Sequence, residues 1–389
     1  MHTHANAASN KLLPPKQMGS YSPEDVQFLL KDVSEMKLEQ TTEDREEAIQ
    51  GGKHYSEMLP QEYKPTAAYM KLFHETLDVS ARAIALAAGI VSELVLRKRG
   101  SRLVLASLAR GGTPAGILMK RYIKQIHQVE LPHYSLSIIR GKGIDENAVL
   151  YMVQQHPDHS IQFVDGWTGK GAISEVLIEA CERLSKQYGI TLSSELAVLA
   201  DPGRCSSTYG TREDFLIPSA CLNATVSGLI SRTVLRDDLI GPHDYHGAKY
   251  YREWMKEDVS SYFVDTISAY FDEIYEEAQA EAGRLLSGGA LEADWSGLQT
   301  VRRIQQDYGI QDVNLVKPGV GETTRVLLRR VPWKILVDRL DNPNLRHILM
   351  LAEEKQVPVE VYEGLTYSCC GLIKPLHATK GGRSDDIRE

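Results

Sequence analysis

Four short runs of apolar residues alternate with helical patterns in the first half of the chain, and they constrain the fold more than any other feature. The runs are residues 103–108, 134–139, 161–164 and 195–200. Apart from Ser135 and Ser137 in the second run, they do not alternate polar and apolar positions, which is typical of strands buried on both faces of a parallel sheet. Each run ends in a glycine-containing turn. The pattern predicts an α/β fold with a parallel sheet flanked by helices, and ligands bind such sheets at the carboxyl ends of the strands.

The length of 389 residues is too great for one ordinary hydrophobic core and indicates two domains. Ser22 and Pro23 are typical of the first residues of a helix. Gly288 and Gly289 indicate a hinge before a second alternating unit, with helices at 296–308 and 343–355 and strands at 312–316, 324–328 and 358–362. We therefore predict a tail at 1–20, a main domain with an N-terminal helical extension at 21–286, a linker at 287–295, a smaller domain at 296–376 and a tail at 377–389.

Composition and charge exclude several classes of protein. The chain has 44 Lys and Arg against 52 Asp and Glu, so its formal net charge is −8, which excludes a broadly basic nucleic-acid coat but not a local basic patch. No run without charged residues reaches the roughly 20 residues that a membrane-spanning helix needs. The five cysteines have no metal-ligand spacing. We expect a reduced, cytoplasmic protein that does not contact a membrane and has no metal site built from its side chains, and the sequence leaves its oligomeric state open.

The apolar run at 161–164 leads into the most distinctive loop of the chain. Asp165 follows the run directly, and a loop of small residues then precedes a predicted helix. Backbone N–H groups and the helix dipole at such a corner favour a phosphate monoester, although the spacing is not that of a Walker P-loop. The candidate phosphate-binding residues of this loop are Gly166, Thr168, Gly169, Lys170 and Gly171.

Two further corners carry positive charge. The run at 103–108 ends in Ala109, Arg110, Gly111 and Gly112, where flexible glycines let backbone amides approach an anion and Arg110 can bind it through two hydrogen bonds. The run at 134–139 ends in Arg140, Gly141, Lys142 and Gly143. Each corner alone is equally typical of a surface turn, but two corners of one sheet together predict an anion-binding site.

The strand, carboxylate and Thr-Gly loop resemble the ribose-5-phosphate loop of type I phosphoribosyltransferases, enzymes that join phosphoribosyl pyrophosphate (PRPP) to a nucleobase. Residues from 20 to about 260 resemble more closely the phosphoribosyltransferase-like proteins of bacterial tellurite-resistance stress operons, part of which carry the label cysteine protease StiP. The stretches that carry this resemblance are residues 19–22, 54–58, 107–114, 138–145 and 223–228.

The resemblance implies a type I phosphoribosyltransferase-like sheet and an enzyme that uses PRPP and Mg²⁺ to ribosylate a nucleobase-like acceptor, giving a nucleoside-like metabolite of a stress response. It implies catalytic roles for Asp165, Arg110 and Arg140, with Lys142 and the 109–112 turn at the pyrophosphate. The family loop has two adjacent acids, whereas this chain has only Asp165 followed by glycine. Three explanations stay open: Asp165 suffices, a second carboxylate comes from Asp145, Glu146 or Asp201, or the pocket binds a different phosphorylated ribose. Mg²⁺ is implied only through the pyrophosphate that it accompanies.

Two other functions stay open. A cysteine protease would use Cys205 or Cys221 as the nucleophile and His243 or His246 as the base, because a thiolate needs a nearby cation or helix N-terminus. The sequence around them matches no papain-like or caspase-like signature. The third function is that of a non-catalytic, nucleotide-sensing RNA-binding protein.

The C-terminal residues 296–376 resemble the Pelota-type RNA-binding domain, which is related to the α/β sandwich of the ribosomal proteins L7Ae and L30e. Residues 347–359 and 371–373 carry the resemblance. It implies RNA as a partner, bound through salt-sensitive phosphate contacts. The candidate RNA-binding side chains are Arg325, Arg329, Arg330, Lys334, Arg339 and Arg346.

Overall fold

The computed structural model describes residues 12–62, 64–289 and 292–374, which form a mixed α/β protein with two main sheets. The predicted tail at 377–389 and most of the tail at 1–20 lie outside the described residues. The strands are β1 (Gln27–Leu29), β2 (Lys31–Asp32), β3 (Glu39–Gln40), β4 (Leu59–Pro60), β5 (Leu103–Ala109), β6 (His133–Ile139), β7 (Gly143–Ile144), β8 (Ser160–Trp167), β9 (Leu196–Ala200), β10 (Thr208–Thr211), β11 (Gly247–Ala248), β12 (Val316–Pro318), β13 (Pro332–Val337), β14 (Val359–Val361) and β15 (Cys369–Ile373).

The helices lie mostly between these strands, as the alternating pattern predicts. They are α1 (Thr42–Gln50), α2 (Ala67–Arg99), α3 (Gly112–His127), α4 (Glu146–Gln155), α5 (Ala172–Tyr188), α6 (Ser260–Ser268), α7 (Phe271–Ser287), α8 (Ser296–Asp307), α9 (Val320–Arg329) and α10 (Arg346–Glu354). Helix α3 packs on β5 and β8, α2 packs on β9 and β10, and α5 packs against β6 and β7. The predicted parallel sheet flanked by helices is therefore confirmed.

The larger sheet has the strand order β1-β6-β5-β8-β9-β10, and all of these strands are parallel. The short strand β7 pairs antiparallel with β6. Strands β5 and β6 are buried almost throughout and β8 from Ile161 to Val164, which explains the continuous apolar runs of β5 and β8. Because the strands run in one direction, the loops that follow β5, β6, β8 and β9 lie along the same edge of the sheet, called the carboxyl edge below.

Helix α2 is long and apolar enough to cross a membrane by length and composition, contrary to the expectation from the sequence. In the structure it is a core helix: 72% of its most apolar window is buried, and Leu77, Ile84 and Leu94 have no exposed surface. It packs along α7. Its composition therefore reflects burial inside the protein.

The smaller sheet lies in residues 296–374 and has the strand order β12-β15-β13-β14. Only β13 and β14 are parallel in it. One face of this sheet packs with α8 around Leu336, Tyr367 and Leu372. Residues on its other face, such as Ile335 and Val337, belong to the same core as the large sheet. The C-terminal unit is thus packed against the main domain through a continuous apolar core.

Three predicted elements are wrong. Of the strand predicted at 312–316, only Val316 lies in a strand, because residues 313–315 form a 3-10 turn that Asp312 caps. Residues 22–25 form a turn, and the chain then enters β1 instead of a helix, because Phe28 and Leu29 pair with β6 and are buried in the core. The predicted strand at 324–328 lies within α9, because Val320, Thr324 and Leu327 are buried at helical spacing.

Candidate functional site

The glycine-rich loops after β5 and β8 touch each other at the carboxyl edge. A Cβ atom on Gly112 would lie 2.4 Å from the carbonyl oxygen of Val164, and one on Gly166 would lie 3.2 Å from that of Gly111. A Cβ atom on Gly111 would lie 3.6 Å from Oδ1 of Asp165. Because no larger residue fits at Gly112 without moving the backbone, the glycines let the two predicted phosphate loops form one surface.

Asp165, near the end of β8, is the carboxylate of this surface. Its Oδ1 accepts a hydrogen bond of 2.8 Å from the backbone N–H of Gly166. Burial raises the pKa of Asp165 to about 7, although that N–H group and Arg325 favour the charged form. A carboxyl group with this pKa can gain or lose a proton near neutral pH, which suits acid–base chemistry.

Arg110 follows β5 and is held by other residues of the protein. Its guanidinium forms an ion pair of 2.8 Å with Glu62 and donates a hydrogen bond of 2.9 Å to the carbonyl oxygen of Ile230. The peptide bond between Ala109 and Arg110 is cis. Arg110 therefore lies beside the predicted anion site, but its charge is balanced by Glu62.

Arg140 and Lys142, after β6, are exposed cations. The backbone N–H of Arg140 donates to the hydroxyl of Tyr55 at 2.8 Å, and its guanidinium lies 5.9 Å from the Tyr55 ring centroid. Burial, and after it the charge of Lys142, lowers the pKa of His54. Within the described part of the chain, neither Arg140 nor Lys142 forms an ion pair, so both charges are available to an anion.

Arg232 lies beside Arg140, although no local sequence pattern marks it. Arg140, Lys142 and Arg232 are called the cation cluster below. The guanidinium of Arg232 lies 5.2 Å from the centroid of the Tyr55 ring, and the guanidinium of Arg140 packs near the same ring. The side chain of Arg232 forms no ion pair or hydrogen bond to the residues that the structure describes. Burial, and then the neighbouring charges of Arg110, Arg45 and Arg140, lowers the pKa of Arg232 to about 10. A desolvated guanidinium without a carboxylate partner is a strong indication of an anion-binding site.

Thr168 does not present its hydroxyl to the loop surface in this structure. The hydroxyl donates a hydrogen bond of 2.6 Å to Oδ1 of Asp201 and accepts one of 3.2 Å from the N–H of Gly203. Thr168 and Asp201 are both buried. The hydroxyl therefore joins the loop after β8 to the loop after β9, while its predicted contact with a ligand stays a prediction.

The rest of the phosphate loop contacts the C-terminal unit. Nζ of Lys170 donates to the carbonyl oxygen of Val313 at 2.6 Å, and the Tyr367 hydroxyl donates to that of Gly169 at 3.1 Å. Gly171 has a φ of +86°, and a Cβ atom there would lie 2.1 Å from a ring carbon of Trp295. The C-terminal unit thus forms part of the wall at the carboxyl edge.

The described residues offer no cluster of side-chain ligands for a metal ion. Residues 12–62, 64–289 and 292–374 contain no group of three or more His, Cys, Asp or Glu side chains that could hold a metal. Of the predicted second carboxylates, Asp145 caps α4 and accepts from the N–H of His246, and Asp201 is bonded to Thr168. Neither of these two carboxylates is hydrogen-bonded to Asp165.

The candidate nucleophiles are buried. The Cys205 thiol donates to the carbonyl oxygen of Gly203 at 3.2 Å, and Cys221 has no exposed surface. Burial, and after it the charge of Asp201, raises the pKa of Cys205 to about 12. The thiol is therefore neutral at physiological pH in this arrangement.

The two candidate bases lie in different surroundings. His243 is exposed. His246 is buried, its Nδ1 lies 2.8 Å from Oγ of Ser137, and burial lowers its pKa to about 4. Ser137 lies on β6, whereas Cys205 follows β9, so the structure does not join His246 and Cys205 in a catalytic pair.

Comparison with known proteins identifies the family. The family model described as tellurite-like stress resistance cysteine protease StiP matches residues 19–268. A protein of Acinetobacter baylyi named "Cysteine protease StiP" is 32% identical over 375 residues, which cover 91% of this chain and 93% of that protein. The chain belongs to the StiP family. For its activity, these names support the cysteine-protease alternative better than the phosphoribosyltransferase hypothesis.

The C-terminal unit of this StiP family member also matches a known domain. A model described as the PELOTA RNA binding domain matches residues 295–375, as the sequence predicts. Arg325 faces the main domain: its guanidinium lies 5.1 Å from the ring of Trp167 and 2.9 Å from Glu322. Lys334 is paired with Glu360. Arg330, Arg339 and Arg346 are exposed, and the side chain of Arg329 lies outside the described part of the structure.

Proposed function

We propose that this StiP family member binds a phosphorylated ribose such as PRPP at the carboxyl edge and transfers the ribose phosphate to a nucleobase-like acceptor. One observation supports this proposal: Arg140 and Arg232 meet at the Tyr55 ring with Lys142 nearby, and these three cations form no ion pair with the described residues. Asp165 lies at the same edge of the sheet, beside the loop after β5. A ligand that carries phosphate groups would neutralise the three cations. The structure thus favours an anionic ligand here, whatever reaction follows.

The proposed transfer breaks the bond between the ribose C1 atom and the pyrophosphate oxygen and forms a bond from C1 to a nitrogen of the acceptor. Pyrophosphate leaves with the bonding electrons, and the cations at the carboxyl edge stabilise its charge. The acceptor nitrogen releases its proton to Asp165, whose pKa of about 7 makes it an effective base. Mg²⁺ bound to pyrophosphate would supply additional positive charge.

Calorimetric titration of PRPP with Mg²⁺ tests the binding part of this proposal. Arg232→Gln removes the buried cation, and we expect affinity to fall by at least about tenfold, as for the loss of a charge-assisted hydrogen bond. The matched control is Arg236→Gln, since Arg236 is paired with Asp238 outside the cluster. Absence of binding heat with the wild type, or equal affinities of the two variants, would contradict the proposal.

The second candidate is a cysteine protease that uses Cys205, and the family name supports it. One structural feature agrees: a Cβ atom on Gly171, the residue before α5, would lie 3.0 Å from Sγ of Cys205, so the thiol lies near a helix N-terminus. Burial and Asp201 oppose thiolate formation in the present arrangement. The protease function therefore requires a rearrangement of the loop after β9 that exposes Cys205.

Peptide hydrolysis by the wild type and by Cys205→Ala separates the two candidates. A protease loses its activity in Cys205→Ala, whereas a transferase keeps its affinity for PRPP. Cys181→Ala is the control, because Cys181 is packed inside the core on α5. Hydrolysis that survives in Cys205→Ala would exclude Cys205, and Cys221→Ala is the next variant.

The match to the Pelota domain gives some support to RNA as a partner of residues 295–375. The exposed residues Arg330, Arg339 and Arg346 are the candidate phosphate contacts. Fluorescence anisotropy with an RNA hairpin should show affinity that falls steeply with salt and falls further in Arg346→Gln. Affinity that is independent of salt would contradict this role.

A further inference from the structure

Lys317 of the C-terminal unit lies at the carboxyl edge of the large sheet. It is the middle residue of β12, which directly follows the turn 313–315. Lys170 donates to the carbonyl oxygen of Val313 in that turn, and Arg140 donates to Oδ1 of Asn314 at 3.3 Å. The C-terminal unit therefore brings Lys317 next to two cations that the sequence predicts to bind phosphate.

These cations repel one another. Burial, and then the charges of Lys317 and Arg140, lowers the pKa of Lys170 to about 8. Burial also lowers the pKa of Lys317, with contributions from Arg140 and Arg330. Three positive groups from two parts of the chain are thus held together in a partly desolvated region, which is unfavourable unless an anion joins them.

The acids nearby offset this charge only in part. Glu322 attracts both Lys170 and Lys317, but its Oε1 is already paired with Arg325 at 2.9 Å. Asp312, the other acid that acts on the two lysines, is exposed. Nζ of Lys317 itself forms no ion pair or hydrogen bond with the residues that the structure describes. The lysine is therefore free to bind a ligand.

We propose that Lys317 completes an anion-binding site with Lys170 and Arg140, so that the C-terminal unit supplies a cation to the site of the main domain. The ligand class is a small molecule that carries phosphate or diphosphate, because the lysines are half-buried between two packed units and not on an open surface. This inference extends the proposed function, since Arg140 belongs both to the group with Lys142 and Arg232 and to the group with Lys170 and Lys317. It adds that the C-terminal unit, whatever RNA it binds, takes part in ligand binding.

The experiment is a calorimetric titration of the full-length protein with inorganic pyrophosphate and, separately, with PRPP and Mg²⁺. Lys317→Gln should weaken the binding of pyrophosphate by at least about tenfold, whereas Lys317→Arg should retain most of the affinity. Lys355→Gln is the matched control, because Lys355 is an exposed lysine of the same unit. Without ligand, the melting temperature of Lys317→Gln should be unchanged or higher, since the variant relieves repulsion.

The outcomes separate this inference from the proposed function. Pyrophosphate binding that depends on Lys317 supports the inference even if PRPP is not bound, in which case the ribose part of the proposed function fails. Equal affinities of Lys317→Gln and the wild type overturn the inference and leave the proposed function standing. No pyrophosphate binding by the wild type overturns the inference as well. A Lys317→Gln variant that loses affinity only for an RNA hairpin would assign Lys317 to RNA and also overturn it.

Discussion

Replacing Thr168 with Val tests whether the Thr168 hydroxyl links the loops after β8 and β9, as the structure shows. The Thr168 hydroxyl donates to the buried carboxylate of Asp201 at 2.6 Å and accepts from the N–H of Gly203. Asp201 Oδ1 also accepts from the N–H of Cys205 at 2.8 Å, so one carboxylate orders two loops. A valine leaves this carboxylate without its hydroxyl donor, and removal of one partner from a hydrogen bond to a charged group costs about 1.5 to 3 kcal/mol.

The assay is guanidinium chloride unfolding at neutral pH, followed by tryptophan fluorescence. We expect Thr168→Val to lose about 1.5 to 3 kcal/mol of unfolding free energy with an unchanged denaturant slope. Thr266→Val is the control: its hydroxyl donates to the carbonyl oxygen of Tyr262 on the surface of α6, and its loss should cost less than about 0.5 kcal/mol.

Equal unfolding midpoints for the Thr168 and Thr266 variants would show that the hydrogen bond from Thr168 to Asp201 does not stabilise the fold. A specific alternative then applies: if Thr168→Val keeps its stability but loses about tenfold in PRPP affinity, the hydroxyl serves the ligand, as the sequence predicts. If it loses stability and keeps its affinity, the hydroxyl is structural. The two measurements together therefore assign the role of Thr168.

Three further predictions concern the same edge. Burial raises the pKa of Asp165 to about 7, so the unfolding free energy of the wild type should fall as pH rises from about 4 to about 7. Asp165→Asn should flatten this slope by up to about 1.4 kcal/mol per pH unit. An unchanged slope in the variant would contradict this prediction. Gly112→Ala should abolish PRPP binding because its Cβ would meet the carbonyl oxygen of Val164, whereas Gly51→Ala, whose Cβ would meet nothing closer than 3.4 Å and which lies outside the site, should bind normally. All five cysteines are buried, so none should react with Ellman's reagent within minutes in the native protein and all should react in denaturant; one fast thiol would favour the protease.

The sequence predicts the large sheet well because its signals are local. The runs that become β5 and β8 are continuous apolar segments that end in glycine, and both properties are visible within ten residues. Helix α9 is missed: Thr324 and Val326 are β-branched and favour the predicted strand at 324–328, whereas the burial of Val320, Thr324 and Leu327 has helical spacing. Strand β1 was not readable, because its pairing with β6 overrides the helix-start residues around Ser22.

The cation cluster could be predicted only in part. Arg140 and Lys142 are marked by the glycines around them, whereas Arg232 has no local signal and becomes a candidate only through Tyr55. Tyr55 lies 85 residues before Arg140 in the chain, and the fold brings the two into contact. Lys317 is equally hidden, because its neighbours belong to the other domain. A single sequence identifies loops, but the charges that converge on them are a property of the fold.

The family name and the site geometry favour different chemistry, and the charges along the carboxyl edge separate the two. Around Cys205 the main influences after burial are the acids Asp201, Glu175 and Asp294, which oppose a thiolate. Arg140 lies near Arg232 and Lys170 and lowers the pKa of both, so this region favours an anion over a bound cation. A protease that uses Cys205 must therefore move this thiol away from the acids before it can react, whereas phosphate binding at Arg140 needs no rearrangement. Affinity for pyrophosphate in Cys205→Ala separates the two activities, because the loss of the thiol leaves the cations in place.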